Sequence, residues 1–182
     1  MPRHRISGVL VAFVAAAVVA CGGTAPSPTV KPAATYDEYF VAVCAAWASL
    51  FRAVGNPDTA SGSELGDALD QAVAAGDVAN ADRLADAITL ELKVGRANIA
   101  IAAGWQPRAP SMTHFDRFFA AAVVMVEAKR AVARHDPNAV DPQAAFEGAG
   151  GIDAWYAMIE AARASGGGQA SDRQCPNVPV TP

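Results

Sequence analysis

Apolar residues recur at helical spacing along most of the chain after residue 34. The first such stretch opens with Thr35 and Glu38, which are spaced to form a capping box, where each side chain bonds a free backbone N–H of the other residue. One stripe then follows at steps of three and four: Tyr36, Phe40, Val43, Trp47, Leu50 and Val54. Because Pro57 disfavours helical dihedrals at Asn56, the pattern predicts a first helix that ends near Gly55.

Two further stretches predict a short helix and a long one. Ser61 and Glu64 repeat the capping-box spacing and open the short helix. Its apolar stripe is Leu65, Leu69 and Val73. Asp77 can cap the long helix, over about residues 78–103. The apolar positions of this helix alternate steps of four and three, as a heptad seam does: Ala81, Ala85, Ile88, Leu92, Gly95, Ile99 and Ala102. The small residues in this seam predict the close approach of a neighbouring helix.

The second half of the chain continues the helical pattern. A fourth helix, capped by Ser111 or Thr113, is predicted to run to about Arg134. Asp141-Pro142 is typical of a helix start, and a last apolar stripe follows: Ile152, Trp155, Ile159 and Ala162. No stretch alternates apolar and polar residues as a half-buried strand does. The pattern predicts an all-α domain over residues 35–182, an antiparallel bundle of four to five helices with an irregular C-terminal tail.

Residues 1–20 have the three parts of a secretory signal peptide. Arg3 and Arg5 give a basic start, residues 9–19 are almost purely apolar, and Ala20 is a small exit residue. The apolar run is about 11–15 residues long, shorter than the ~20 that a membrane-spanning helix needs. Cleavage is therefore favoured over a permanent transmembrane anchor.

The residues at the predicted cleavage point indicate anchoring and not release. Val18-Val19-Ala20-Cys21 resembles the lipobox of bacterial prolipoproteins, with Val18 where Leu is usual. The resemblance implies cleavage after Ala20, a diacylglycerol thioether on Cys21 and often acylation of its amino group. Two or more acyl chains hold a protein stably on a membrane. An ordinary signal peptide with a chance cysteine is the alternative.

Residues 21–34 predict a lipidated tether. They contain two glycines, three prolines and almost no large apolar residue. Proline-rich segments are extended at about 3.1 Å per residue, so this one could lift the domain roughly 30–40 Å off the membrane.

Charge and size limit the possible partners. Processing would remove Arg3 and Arg5, leaving 12 of the 14 basic residues against 18 acidic ones, so the net charge would change from −4 to −6. A mildly acidic chain with no basic cluster predicts no binding to nucleic acid. The remaining length is that of one domain, large enough to bury a core.

The remaining cysteines predict a disulfide. With Cys21 lipidated, Cys44 and Cys175 are left, and outside the cytoplasm such a pair is most simply one bridge. Two separate free thiols are the alternative. Neither residue belongs to a Cys-x-x-Cys pair, which argues against a redox-active or zinc-binding role.

Residue patterns for chemistry are sparse. His114 and His135 have no carboxylate or histidine three or four positions away, as a helical metal site needs. Asp82 and Asp86 could share a proton or a Ca²⁺ ion, but such a pair more often lies on a solvated helix face. The chain contains no nucleophile motif and no phosphate-binding loop, so we predict no cofactor, no metal and no enzymatic activity.

One weak ligand-binding candidate remains. Glu91 and Asn98 lie one heptad apart on an otherwise apolar row of the third helix, and Arg96 is nearby. A buried, unpaired carboxylate would indicate a functional site. The alternative is that the row borders the core and its polar groups reach water or another helix.

Three functions follow from these observations. The first is an extracytoplasmic lipoprotein of the cell membrane or cell envelope, whose helical domain binds another envelope protein or has a structural role. The second is a protein that binds a lipid or small apolar ligand between the third and fourth helices, in a pocket lined by Leu92, Ile99, Phe118 and Phe119. The third is a hydrolase with dispersed residues, which would need a Ser or Asp hydrogen-bonded to His114.

Overall fold

The computed structural model describes residues 31–55, 63–164 and 175. The regular secondary structure of these residues is all helix, and they contain no strand. Six α-helices and one short 3₁₀ helix, Gln106–Arg108, follow one another. The α-helices are α1 (Tyr36–Val54), α2 (Glu64–Ala75), α3 (Val78–Ala102), α4 (Ala109–Ala133), α5 (Pro142–Gly148) and α6 (Gly151–Ala164). The all-α prediction is confirmed, but the count of four to five helices is not. The predicted signal peptide, Cys21 and most of the predicted C-terminal tail lie outside the described residues.

Capping residues set the starts of several helices. The predicted box at the start of α1 is present, with Thr35 accepting from the Glu38 amide at 3.2 Å and Glu38 accepting in return. Asp77 caps α3 as predicted, through the amide of Asn80. The cap of α2 is Ser63, whose hydroxyl also donates to the Ala53 carbonyl at 3.1 Å. Ser61, the predicted cap, lies outside the described residues.

The start of α4 differs from the prediction. The helix begins at Ala109, and neither Ser111 nor Thr113 caps it. Pro110 fits the first turn because its missing N–H would have no helical partner there. The Ser111 hydroxyl donates to the Met158 carbonyl on α6, and the Thr113 hydroxyl donates to the carbonyl of Ala109. Both hydroxyls that suggested a cap therefore have other partners.

Helices α1 and α3 lie antiparallel. The ring of Tyr36, at the start of α1, is 5.3 Å from that of Trp105, just after the end of α3. Towards the end of α1, Arg52 pairs with Glu91 in the middle of α3 at 2.9 Å. Every residue of the predicted heptad seam of α3 is buried, which confirms that this seam faces the core.

Helix α4 packs antiparallel to both α3 and α6. Arg96 pairs with Asp116 near the start of α4, and Asp82 pairs with Arg134 after its end. On α6, the late residue Met158 accepts the hydrogen bond from Ser111 near the start of α4. One end of the domain therefore gathers the start of α1, the end of α3, the start of α4 and the end of α6; we call it the Trp105 end.

The chain enters the domain at the Trp105 end. Ala33 is 2% exposed, and its amide donates to the Ile101 carbonyl of α3 at 2.8 Å. Gly104 makes room for this contact, since a β-carbon there would lie 2.8 Å from both the nitrogen and the oxygen of Ala33. Ala33, which the tether prediction includes, is thus packed against the end of α3.

Candidate functional site

The side chains of the weak ligand-binding candidate, Glu91, Arg96 and Asn98, do not meet in one binding site. Glu91 is half-buried and accepts two hydrogen bonds from the Arg52 guanidinium, at 2.9 and 3.1 Å. Arg96 is exposed and binds both carboxylate oxygens of Asp116, which raises the pKa of Arg96 through the hydrogen bonds. The amide of Asn98 donates to the Val94 carbonyl of its own helix. The three side chains make three separate contacts, and Glu91 is not an unpaired buried carboxylate.

Three of the four residues expected to line a pocket between α3 and α4 form packed core, and the fourth, Ile99, also lines a groove of about 350 Å³ between these two helices, with Met112 and Asp116 on the facing side. Leu92 and Phe119 are fully buried, and Ile99 and Phe118 are nearly so. Phe119 packs directly against Gly95 of α3, where a β-carbon would overlap its ring. The close approach predicted from the small residues of α3 is therefore present.

A groove of about 460 Å³ lies elsewhere, between α1, α4 and α6. Its walls are mostly apolar and aromatic, and their apolar and aromatic residues are Tyr39, Val43, Trp47, Met112, Phe115, Met158, Ile159 and Ala162. Ser111 lies in the wall, and Arg163 is the one charged residue among the described residues that line it. We call this space the α1–α4–α6 groove.

Aromatic contacts join the three helices beside the groove. The ring of Trp47 on α1 is 4.8 Å from Phe115 on α4 and 5.7 Å from Trp155 on α6, where the two rings meet edge to face. Phe118 is 5.3 Å from Trp155. Such pairs contribute about 0.5–1.5 kcal/mol each beyond the area they bury, and they tie the three helices together at fixed positions.

Two polar contacts fix α6 against α4 beside the groove. Arg108, only 7% exposed, donates from Nη1 to the Ala162 carbonyl at 2.5 Å. This carbonyl belongs to the last turn of α6, where carbonyls lack helical partners and a cation is favoured by the helix dipole. The hydroxyl of Ser111 donates to the Met158 carbonyl one turn earlier. These bonds position the α6 wall of the groove.

Tyr39 connects the groove to the Trp105 end. Its ring lies 4.8 Å from Trp105, and only 9% of the residue is exposed. Burial raises the pKa of Tyr39 above its usual value of 10.0, and the charge of Arg108 opposes that rise. The phenol is therefore neutral and able to donate a hydrogen bond at physiological pH.

Cys44 and Cys175 form a disulfide, as predicted. Their Cα atoms are 5.2 Å apart across a sequence separation of 131 residues. Cys44 lies on α1 next to Val43, a residue of the groove wall. The bridge therefore joins the chain beyond α6 to α1.

The carboxylates considered for cation binding are bound by arginines. Arg130 of α4 contacts both Asp82 and Asp86 of α3, and Arg134 donates to Asp82 at 2.9 Å. Glu127, three positions before Arg130 on α4, also pairs with it at 3.5 Å. In residues 31–55, 63–164 and 175, no group of three His, Cys, Asp or Glu residues is placed to hold a metal ion.

The arrangement that would indicate a hydrolase is not formed by the described part of the chain. His114 lines another groove, of about 410 Å³, together with Arg117 and Asp153. No described Ser or Asp side chain makes a hydrogen bond to this histidine. His135 follows α4 with a positive φ of 54° and its ring lies beside Gly76. The two histidines are thus in separate places.

Comparisons with models of known families, with curated proteins and with solved structures find no match to this chain. Within the ranges that the structure describes, no helix is both long enough and apolar enough to cross a membrane.

Proposed function

We propose that the chain is a membrane-anchored lipoprotein of the cell envelope, with an extracytoplasmic helical bundle that has a non-enzymatic, protein-binding or structural role. The observation that carries this proposal is the bridge between Cys44 and Cys175. Disulfides persist outside the cytoplasm, where thiols are not kept reduced. The bridge therefore supports export, which the signal peptide and the lipobox-like Cys21 predict independently.

The entry of the chain into the domain identifies the end of the domain that would be nearest to the proposed anchor. Ala33 and Pro32 pack against Gly104, so the domain begins about a dozen residues after Cys21. A lipid on Cys21 would therefore hold the Trp105 end of the domain toward the membrane.

The polar contacts favour a non-enzymatic role. The carboxylates on facing helices are engaged in ion pairs between helices: Glu91 with Arg52, Asp116 with Arg96, Asp70 with Lys129, and Asp82 with Arg130 and Arg134. Such pairs join α1, α2, α3 and α4 to one another. Their engagement gives these groups a structural role.

Mass spectrometry of the protein extracted from its own membranes tests the anchor. We expect a denatured mass that lacks residues 1–20 and includes acyl chains, and a gain of about two daltons on reduction of the disulfide, one for each sulfur protonated. A Cys21→Ala variant is the matched control and should lose the acyl mass and leave the membrane fraction. An unmodified Cys21 in the wild-type protein would contradict the proposal.

Binding of a lipid or small apolar ligand is the second candidate function. The observation that favours it is the α1–α4–α6 groove, whose volume of about 460 Å³ falls in the range of roughly 300–1,000 Å³ for small-molecule sites. The test is native mass spectrometry on the same extract. A retained small molecule would favour ligand binding, and a retained second polypeptide would favour the protein-binding role.

A further inference from the structure

The α1–α4–α6 groove reaches the end of the domain where the N-terminal segment enters. Tyr39, in the groove wall, contacts Trp105, and Tyr36 on the same helix contacts that ring as well. At the other wall, Ala162 and Arg163 form the last turn of α6, which Arg108 fixes at the Trp105 end. The groove wall therefore includes residues at the end of the domain where the N-terminal segment enters.

The distance from this end to the proposed anchor is short. Ten residue-to-residue steps separate Cys21 from Lys31, the first described residue, and even a fully extended chain of that length spans at most ~35 Å. This step rests on the proposed function, since it requires the lipid on Cys21. With that anchor in place, the membrane surface is the nearest large source of apolar molecules for the groove.

The lining of the groove indicates the chemistry of its occupant. Its apolar and aromatic walls suit a hydrocarbon chain. Among the described residues that line the groove, Arg163 is the one charged residue, and it is a cation. An anionic head group at that position would gain charge-assisted hydrogen bonds from the guanidinium. No described carboxylate lines the groove, so none would repel such a head group there.

We propose that the α1–α4–α6 groove binds a single-chain anionic lipid taken from the membrane, with the hydrocarbon chain along Trp47 and Phe115 and the head group at Arg163. The site lies between α1, α4 and α6, and the packed residues Leu92 and Phe119 between α3 and α4 do not line it. Its occupant is an amphiphile, because the apolar walls and the cation are both needed to recognise it.

The first experiment blocks the groove. A dansyl-labelled undecanoate probe is titrated into the purified full-length mature protein, and its emission sensitised by tryptophan is recorded. Ala162→Trp places an indole at the groove wall and should weaken probe binding at least tenfold. Ala74→Trp makes the same change at an exposed position of α2 and should leave the affinity within about twofold. Equal binding by the Ala162→Trp and wild-type proteins would overturn the site.

The second experiment tests the head group. Oleate and oleyl alcohol, which share one hydrocarbon chain, compete with the probe. We expect Arg163→Gln to weaken oleate about tenfold, as the loss of a charge-assisted hydrogen bond predicts, and to change oleyl alcohol by less than twofold. Lys93→Gln, which removes a charge from an exposed position of α3, should change neither. An equal effect of Arg163→Gln on both competitors would overturn the assignment of the head group.

These binding outcomes are independent of the anchor. If Cys21 carries no lipid but the probe binds at Ala162 and Arg163, the proposed anchor is wrong and the ligand site is supported. The ligand would then come from a source other than the adjacent membrane. If Cys21 is lipidated and the wild-type protein does not bind the probe, the ligand site fails and the anchor stands. In that second case, self-association lost in Ala162→Trp would identify the occupant as another copy of the chain.

Discussion

The ring of Phe119 occupies the space that a β-carbon on Gly95 would need. An ideal β-carbon at Gly95 would lie 2.8 Å from Cζ of Phe119 and closer still to the neighbouring ring carbon. Phe119 is fully buried and has Phe115 and Phe118 as ring neighbours at 5.2 and 6.5 Å. The ring therefore has little room to retreat from an added atom.

We predict that Gly95→Ala destabilises the protein by about 1–3 kcal/mol, the usual cost of overpacking a core. Helix propensity alone would give the opposite sign, since Ala is favoured over Gly by roughly 1 kcal/mol inside a helix. Gly148→Ala is the control, because nothing lies within 4 Å of a β-carbon there. Urea unfolding should show opposite signs for the two variants, and a stabilised Gly95→Ala protein would contradict this packing.

Gly104→Ala should detach the N-terminal segment from α3. A β-carbon at Gly104 would lie 2.8 Å from the backbone of Ala33, which cannot yield as a side-chain tip can. We expect loss of the hydrogen bond from Ala33 to Ile101, worth about 0.5–1.5 kcal/mol. Amide hydrogen exchange at Ala33 measures this directly, and unchanged protection in the variant would disprove the contact.

Removal of the disulfide should cost substantial stability. On the chain-entropy model, a closed loop of this length contributes about 4–5 kcal/mol, and removal of native disulfides typically costs about 2–5 kcal/mol. We expect the Cys44→Ser/Cys175→Ser double variant to unfold at lower urea concentration. The free energy of unfolding should fall by the same amount when the wild-type protein is reduced, whereas reductant should not affect the double variant.

Arg108→Met should loosen the end of α6. The substitution keeps the apolar part of the side chain and removes the donor to the Ala162 carbonyl. Hydrogen bonds from charged groups contribute about 1.5–3 kcal/mol, and we expect a loss in that range. The control is Arg83→Met, which removes an exposed contact to Asn80 one turn away and should cost less than about 0.5 kcal/mol. Equal losses in the two variants would argue against a special role for Arg108.

The capping box of α1 should make part of the stability depend on pH. Amides of Ala34 and Thr35 donate to Glu38, and with nearby Lys31 they lower the pKa of Glu38 below its usual value of 4.5. A carboxyl whose pKa is lower in the folded state stabilises the fold above its unfolded pKa, and this contribution is lost as the pH falls through the folded pKa. The difference in unfolding free energy between wild type and Glu38→Gln should therefore shrink below pH 4.5. A difference that stays constant from neutral to acidic pH would rule this out.

The sequence predicts most helix bounds, because the residues that cap or end a helix lie within a few positions of its ends. The box at Thr35, the cap at Asp77 and the seam through Ile88 each depend on residues within a few turns. The start of α4 could not be predicted in the same way. The hydroxyl of Ser111 has its partner on α6, 47 residues away, and no local pattern shows that contact.

The candidate site depended on the arrangement of helices around the core, which periodicity does not give. The stripe of α6 contains Ile159 and Ala162, and that of α1 contains Val43 and Trp47, but neither pattern shows that the two stripes border one groove. In the same way, the pairing of Glu91 with Arg52 joins residues 39 positions apart. The stripe of α6 was visible in the sequence, but it does not identify the helices that face it.

The link between Cys44 and Cys175 closes the intervening chain into a covalent ring that contains α2 to α6. A protease that cuts once inside this ring, for example between α1 and α2, would produce a nicked molecule whose two pieces remain joined. One cleavage inside the ring would therefore release no fragment.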